Sequence, residues 1–158
     1  MTTLNPTTPD LTRTATTVLV AGALATLAFD LFGQGLSPLA GYAKLAPVGL
    51  AQQTLNTVFG SVPKGMADIL HILTGLIAYP LGYLLIARPL AARLLPRLHW
   101  SVVATAYGVG LWIFALYVMA HLVAGNPAFL GFTGITWVAL WGHVLYGLVA
   151  AAVIERRA

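Results

Sequence analysis

The sequence predicts an all-α integral membrane protein, a four-helix bundle of up-down-up-down topology. Three observations carry this. Of the 158 residues, 8% are charged and 59% hydrophobic, whereas a soluble domain carries about 25% charged residues. The mean hydropathy of +0.86 removes disorder as well, which needs low hydrophobicity and high charge. The apolar residues also gather into stretches of roughly the 20 residues that a span requires, and the chain length holds four of them with short connections. Residues 1–158 thus read as one membrane domain with no separate soluble module.

The first stretch runs from about Ala15 to Leu36. Arg13 precedes it as in a signal peptide, but the polar head with Pro6 and Pro9 is long. Gly33, Gln34 and Gly35 follow Asp30 without making a clean cleavage pattern, so this stretch reads as a retained span. Between it and the second stretch lies the only long connection, Ser37 to Gly65. There Pro47 can start a helix, and Val48, Ala51, Leu55 and Val58 recur at helical spacing. A short amphipathic helix on the outer membrane surface, or capping the bundle, is expected.

The second span covers about Met66 to Ala87, with Arg88-Pro89 expected to end it and Pro96 to precede the third. The third covers about His99 to Ala124, and Asn126-Pro127 marks a short turn before the fourth, about Thr133 to Ile154. Arg13, Arg88, Arg93, Arg97, Arg156 and Arg157 fall on one side, and only Lys44 and Lys64 on the other. By the positive-inside rule both termini are cytoplasmic, in a bacterial inner membrane. The same placement explains the net charge of +4 without nucleic acid. With no cysteine, disulfides, thiolate-bound zinc, iron–sulfur clusters and thiol catalysis are all removed.

Ionisable groups inside a bilayer are costly and point to function or pairing. From the helical rise, Asp30 lies roughly 9 Å from the outer end of its span, His71 roughly 8 Å, His121 roughly 5 Å and His143 roughly 15 Å. All four fall in the outer half, one per span. Stripes at three- and four-residue spacing place them inward: Leu19, Ala23, Thr26, Asp30, Gly33; Asp68, His71, Gly75, Gly82; Tyr107, Gly110, Phe114, Tyr117, His121; and Thr136, Ala139, His143, Gly147, Ala150. Small residues in these stripes permit close helix approach or leave room for a flat cofactor. Asp68, one turn shallower than His71, suits the dipole at the start of span 2.

His71 near the outer end of span 2, Gly82-Tyr83, the basic turn, His121, Gly142-His143 and the terminal Glu155-Arg156-Arg157 form a pattern that resembles the YagU-type family of small bacterial inner-membrane proteins. The resemblance covers the second half of the chain, takes in span 1 only as an apolar helix, and offers no counterpart to Asp30. It implies the topology and the three histidines more than an activity.

Two functions follow from the polar residues. In one, a periplasm-facing His/Asp pocket binds a b-type haem or a metal ion. His71 and His143, on diagonally opposite spans, would be the axial pair of a haem with Gly75, Gly142 and Gly147 as clearance. A metal ion would instead take His71, His121 and His143, with Asp30 as fourth ligand or orienter. In the other, the chain is a non-catalytic accessory or assembly subunit of a larger membrane complex, or a homo-oligomer, and the polar residues are structural. No nucleophile–base pair or nucleotide motif is visible, which weighs against an enzyme.

Overall fold

The computed structural model describes residues 10–157, and among these no strand is present. The head with Pro6 and Pro9 lies outside them. Four helices are long and apolar enough to cross a membrane: α1 (Leu11–Leu39), α3 (Gly65–Leu94), α4 (Trp100–Val123) and α5 (Gly134–Arg157). The fifth helix, α2 (Pro47–Phe59), lies in the long connection and begins at Pro47 as expected. Asp10 caps α1, its carboxylate accepting from the Thr12 and Arg13 amides at 3.0 and 3.2 Å. His99 caps α4, its Nδ1 accepting from the Ser101 amide at 3.3 Å.

The spanning helices are not uniform. The turns widen to i→i+5 bonding over Leu31–Leu36 in α1 and over Thr74–Ala78 and Tyr83–Ala87 in α3. Each widened segment ends two residues before a proline: Pro38, Pro80 and Pro89. A proline ring collides with the carbonyl four residues back and has no N–H to offer it. In these three places that carbonyl belongs to Gln34, Leu76 or Leu85, inside the widened turn. Widening makes room for the ring without ending the helix. Arg88-Pro89 therefore does not terminate span 2, contrary to the sequence expectation: α3 runs on to Leu94.

Helix α5 is the most enclosed of the four and packs along its length on α1 and α4, while α3 leans on α1 and touches α4 sparsely. Glycine sets the closest crossings. A Cβ at Gly147 would stand 2.5 Å from the Ala104 carbonyl oxygen, and one at Gly108 would stand 2.5 Å from that of His143. A Cβ at Gly22 would run into the Leu76 carbonyl of α3. Backbone meets backbone at these points, as small residues allow in lipid.

The inward stripe expected for α5 is correct at every position: Thr136, Ala139, His143, Gly147 and Ala150 are all buried. Those expected for α1 and α4 are displaced. In α1 the buried residues are Val18, Ala21, Gly22, Ala25 and Phe29, whereas Leu19 is exposed. In α4 they are Ala104, Gly108, Leu111, Leu116 and Ala120, whereas Phe114 and Tyr117 are exposed. The five-residue step from Leu111 to Leu116 is the spacing of the widened turn at Phe114–Val123. Helix α2 is also rotated from its expected face. It presents Pro47, Leu50, Ala51 and Thr54 to the interior, and Val58 is exposed.

Candidate functional site

A cavity of about 310 Å³ opens in the half of the bundle away from the arginine-bearing turn. That size is at the lower end of ligand pockets, which run ~300–1,000 Å³. Its walls are mainly apolar and come from every helix: Thr26 and Phe29 of α1, Leu50 and Thr54 of α2, His71 and Tyr79 of α3, Phe114 and Met119 of α4, Ala139, His143 and Tyr146 of α5.

Each wall has a local cause. The wide turn at Phe114–Val123 lies along the α4 side. Leu130 enters the cavity from a left-handed turn in which Phe129, Leu130, Gly131 and Phe132 have φ of 50°, 55°, 69° and 54°. Three of these four residues carry a Cβ, and this conformation costs each roughly 1–2 kcal/mol. Hydrogen bonds hold it: Thr136 Oγ1 donates to the Phe129 carbonyl at 2.6 Å and Thr133 Oγ1 to that of Leu130 at 3.2 Å. Phe129 also lies 4.6 Å from the Trp112 ring and 5.5 Å from the Tyr117 ring, centre to centre. Helix α2 is tied across by Asn126, whose Nδ2 donates to Gln53 Oε1 at 2.9 Å.

Two sequence-predicted residues meet directly. His71 Nε2 stands 3.2 and 3.3 Å from the two oxygens of Asp30, and Gln34 donates to Asp30 Oδ1 at 2.8 Å. The carboxylate at this depth is thus paired rather than alone, as the cost of burial requires. His143 lines the same cavity as His71. Its Nδ1 lies 2.7 Å from the Ala139 carbonyl oxygen, which can only accept, so Nδ1 carries the proton. Phe29 braces the imidazole edge-on at 5.0 Å.

His121 is not part of this arrangement. Its Nδ1 donates to the Asn126 carbonyl at 2.7 Å, closing the end of α4, and its ring lies beside Tyr117. Beyond Leu111 the wide turn carries Leu116 and Ala120 inward. Among the described residues no three His, Asp or Glu side chains stand where they could hold a metal ion. The set His71, His121, His143 and Asp30 expected from the sequence is corrected accordingly. Asp68 is exposed and joins nothing here.

The residues expected to clear space for a haem do not fit one either. Gly75 is covered by Thr26, whose hydroxyl occupies the place of a Cβ. A Cβ at Gly142 would meet the Phe29 ring at 3.0 Å, and Gly147 is filled by the α4 backbone. These glycines serve helix contact instead of porphyrin clearance.

Several polar residues that the sequence reading passed over are central. Tyr146 Oη donates to the Gly75 carbonyl. In the wide turn that carbonyl would bond to the residue five positions on, which is Pro80 and has no N–H. A proline in mid-span was the signal that a donor from elsewhere is needed. Tyr107 Oη donates in the same way to the Tyr79 carbonyl at 2.5 Å. Thr26 Oγ1 is buried with no hydrogen-bond partner, on the cavity wall. No family model matches the chain, and neither does any curated protein or solved structure.

Proposed function

We propose that this is a membrane-embedded binding protein that takes a small, largely apolar molecule into the cavity beneath α2. The carrying observation is the cavity itself: about 310 Å³, walled by all five helices and closed above by a helix whose Leu50, Ala51 and Thr54 point into it. Helices that only had to pack in lipid would close such a space, since each lost contact lowers stability. Here two energetically costly features, the left-handed turn at Phe129–Phe132 and the long wide turn of α4, lie on its border. Features of that kind concentrate at functional sites.

The arginine distribution supports an orientation with both termini cytoplasmic and the cavity toward the periplasm of a bacterial inner membrane. Reporter fusions within α2 and after Arg157 test the orientation, and a periplasmic signal from the C-terminal fusion overturns it. For the cavity, naphthalene added to the protein in lipid nanodiscs is expected to raise the unfolding temperature, because a ligand that binds only the folded state stabilises it. Ala51→Phe, which fills the space from the α2 side, is expected to abolish the shift. An equal shift in both proteins, or none in either, overturns the reading.

A further inference from the structure

The cavity is mainly apolar, yet His143 on its wall carries a ring nitrogen, Nε2, with no hydrogen-bond partner in the structure. With Nδ1–H committed to the Ala139 carbonyl at 2.7 Å, the neutral ring presents Nε2 as a bare lone pair, an acceptor. No acid touches this ring: the contacts of His143 are the Ala139 carbonyl and the Phe29 face, and Asp30 is engaged by His71 and Gln34. Thr26 Oγ1 is no second such atom: it is buried against Gly75, where a Cβ would stand, and beside Tyr146. Burying an unsatisfied polar group costs free energy that a ligand able to satisfy it recovers.

Nε2 can only accept, so it requires a donor. Tyr146 and Tyr107 cannot supply it, since their hydroxyls donate to the Gly75 and Tyr79 carbonyls. A ketone, ether or ester entering the cavity would bring acceptors only and leave Nε2 facing a lone pair. A cation would enter a wall that holds no carboxylate, Asp30 being engaged by His71 outside the lining.

We propose that the cavity selects neutral, hydroxyl-bearing apolar molecules of the phenol or alcohol type, with His143 Nε2 accepting a hydrogen bond from the hydroxyl. Phe29, which fixes the imidazole at 5.0 Å, positions the acceptor. This rests on the binding function proposed above and names its ligand class. It assigns to His143 a role in specificity instead of metal or haem ligation.

Three matched probes test it in nanodiscs, with free aqueous concentrations measured for each: naphthalene, 2-methoxynaphthalene and 2-naphthol. The half-saturating concentration of 2-naphthol is expected to be about tenfold below that of its methyl ether, the discrimination that one satisfied hydrogen bond supplies. His143→Phe should abolish that preference while retaining naphthalene binding. Thr26→Val, an almost isosteric change at a hydroxyl that lies against Gly75, should leave the preference unchanged. Equal half-saturation by 2-naphthol and its ether in the native protein overturns the hydroxyl selection while leaving the cavity intact. Failure of all three probes, as when a lipid acyl chain fills the space, overturns the binding function itself and this inference with it.

Discussion

At the arginine-bearing end of the bundle α5 meets α4 glycine against backbone, whereas at the other end the same two helices part around a cavity. In the closed region Gly108 and Gly147 interlock with the facing chain, and the buried Tyr83 hydroxyl donates to Glu155 at 3.2 Å while Arg88 holds the same carboxylate at 3.0 Å. One carboxylate oxygen joins the trio. In the open region the pairing is incomplete: His71 and Asp30 satisfy each other, but His143 Nε2 is left without a partner at the cavity. The helical geometry follows the same division. Trp100–Ile113 of α4 is α-helical where it packs tightly, and Phe114–Val123 is widened where it lines the cavity. The contrast separates residues that hold the bundle from residues held by it.

The largest effect is expected in the closed region. Gly147→Val would place carbon against the Ala104 carbonyl and the Gly108 backbone, where a Cβ already stands at 2.5 and 3.1 Å. Neither backbone can move aside alone, so the loss should reach about 3 kcal/mol or more, seen as a large drop in unfolding temperature in detergent. Gly110 provides the control on α4, because a Cβ there meets nothing within 4 Å. Gly110→Ala should be neutral or stabilise by up to about 1 kcal/mol. Similar losses for both variants would remove glycine interlocking as the basis of the closed half.

Glu155 comes next. Glu155→Ala leaves the Tyr83 hydroxyl, on a side chain only 1% exposed, without its acceptor. A cost of about 1–3 kcal/mol follows. Glu155→Gln keeps an oxygen for Tyr83 and removes only the charge that Arg88 meets. That pair is partly exposed, with side chains 39% and 23% accessible, and such a pair contributes ~0–1 kcal/mol. Thermal unfolding of the two variants should therefore separate clearly. If Gln is as damaging as Ala, the ion pair and not the tyrosine bond dominates this end.

The four spans were legible because their cause, the absence of water in the bilayer, acts on composition alone. Which face of each helix turns inward was legible only in part. In lipid both faces are apolar, so hydropathy does not mark the interior. Polar and aromatic residues were used instead, and in α5 they coincide with the small ones: His143 shares its stripe with Ala139 and Gly147. In α1 and α4 they do not. There Ala21, Gly22, Ala25, Ala104 and Gly108 pack inside, and Tyr117 and Phe114 turn outward. The wide turns compound this, because a stripe extrapolated at three and four residues drifts once the backbone takes five. That Asp30 meets a histidine followed from the cost of an isolated carboxylate, but the choice of His71 over His143 did not. The Tyr146–Gly75 bond was signalled by Pro80, but its partner helix was not.

The smallest effect is expected at α2, and it tests whether the open region is held independently of the closed one. Gln53 and Asn126 are joined by side-chain bonds of 2.9 and 3.4 Å, and Gln53 Nε2 also reaches the Ala124 carbonyl at 3.4 Å. Gln53 is exposed, so water replaces these bonds readily, and Gln53→Ala should lower global stability by no more than about 0.5–1 kcal/mol. Its local consequence is larger in proportion, since these are the side-chain bonds that tie α2 to the turn after α4, its other packing being against the start of α3 and at the cavity. Amide hydrogen exchange in α2 should quicken while that of α5 stays unchanged, the signature of an element that opens alone. Naphthalene should also enter and leave the cavity faster, with its half-saturating concentration nearly unaltered, because a cover that opens in both bound and free states changes rates more than affinity. If exchange in α5 quickens together with α2, the two ends of the bundle unfold as one unit, and the division between a region that holds and a region that is held fails.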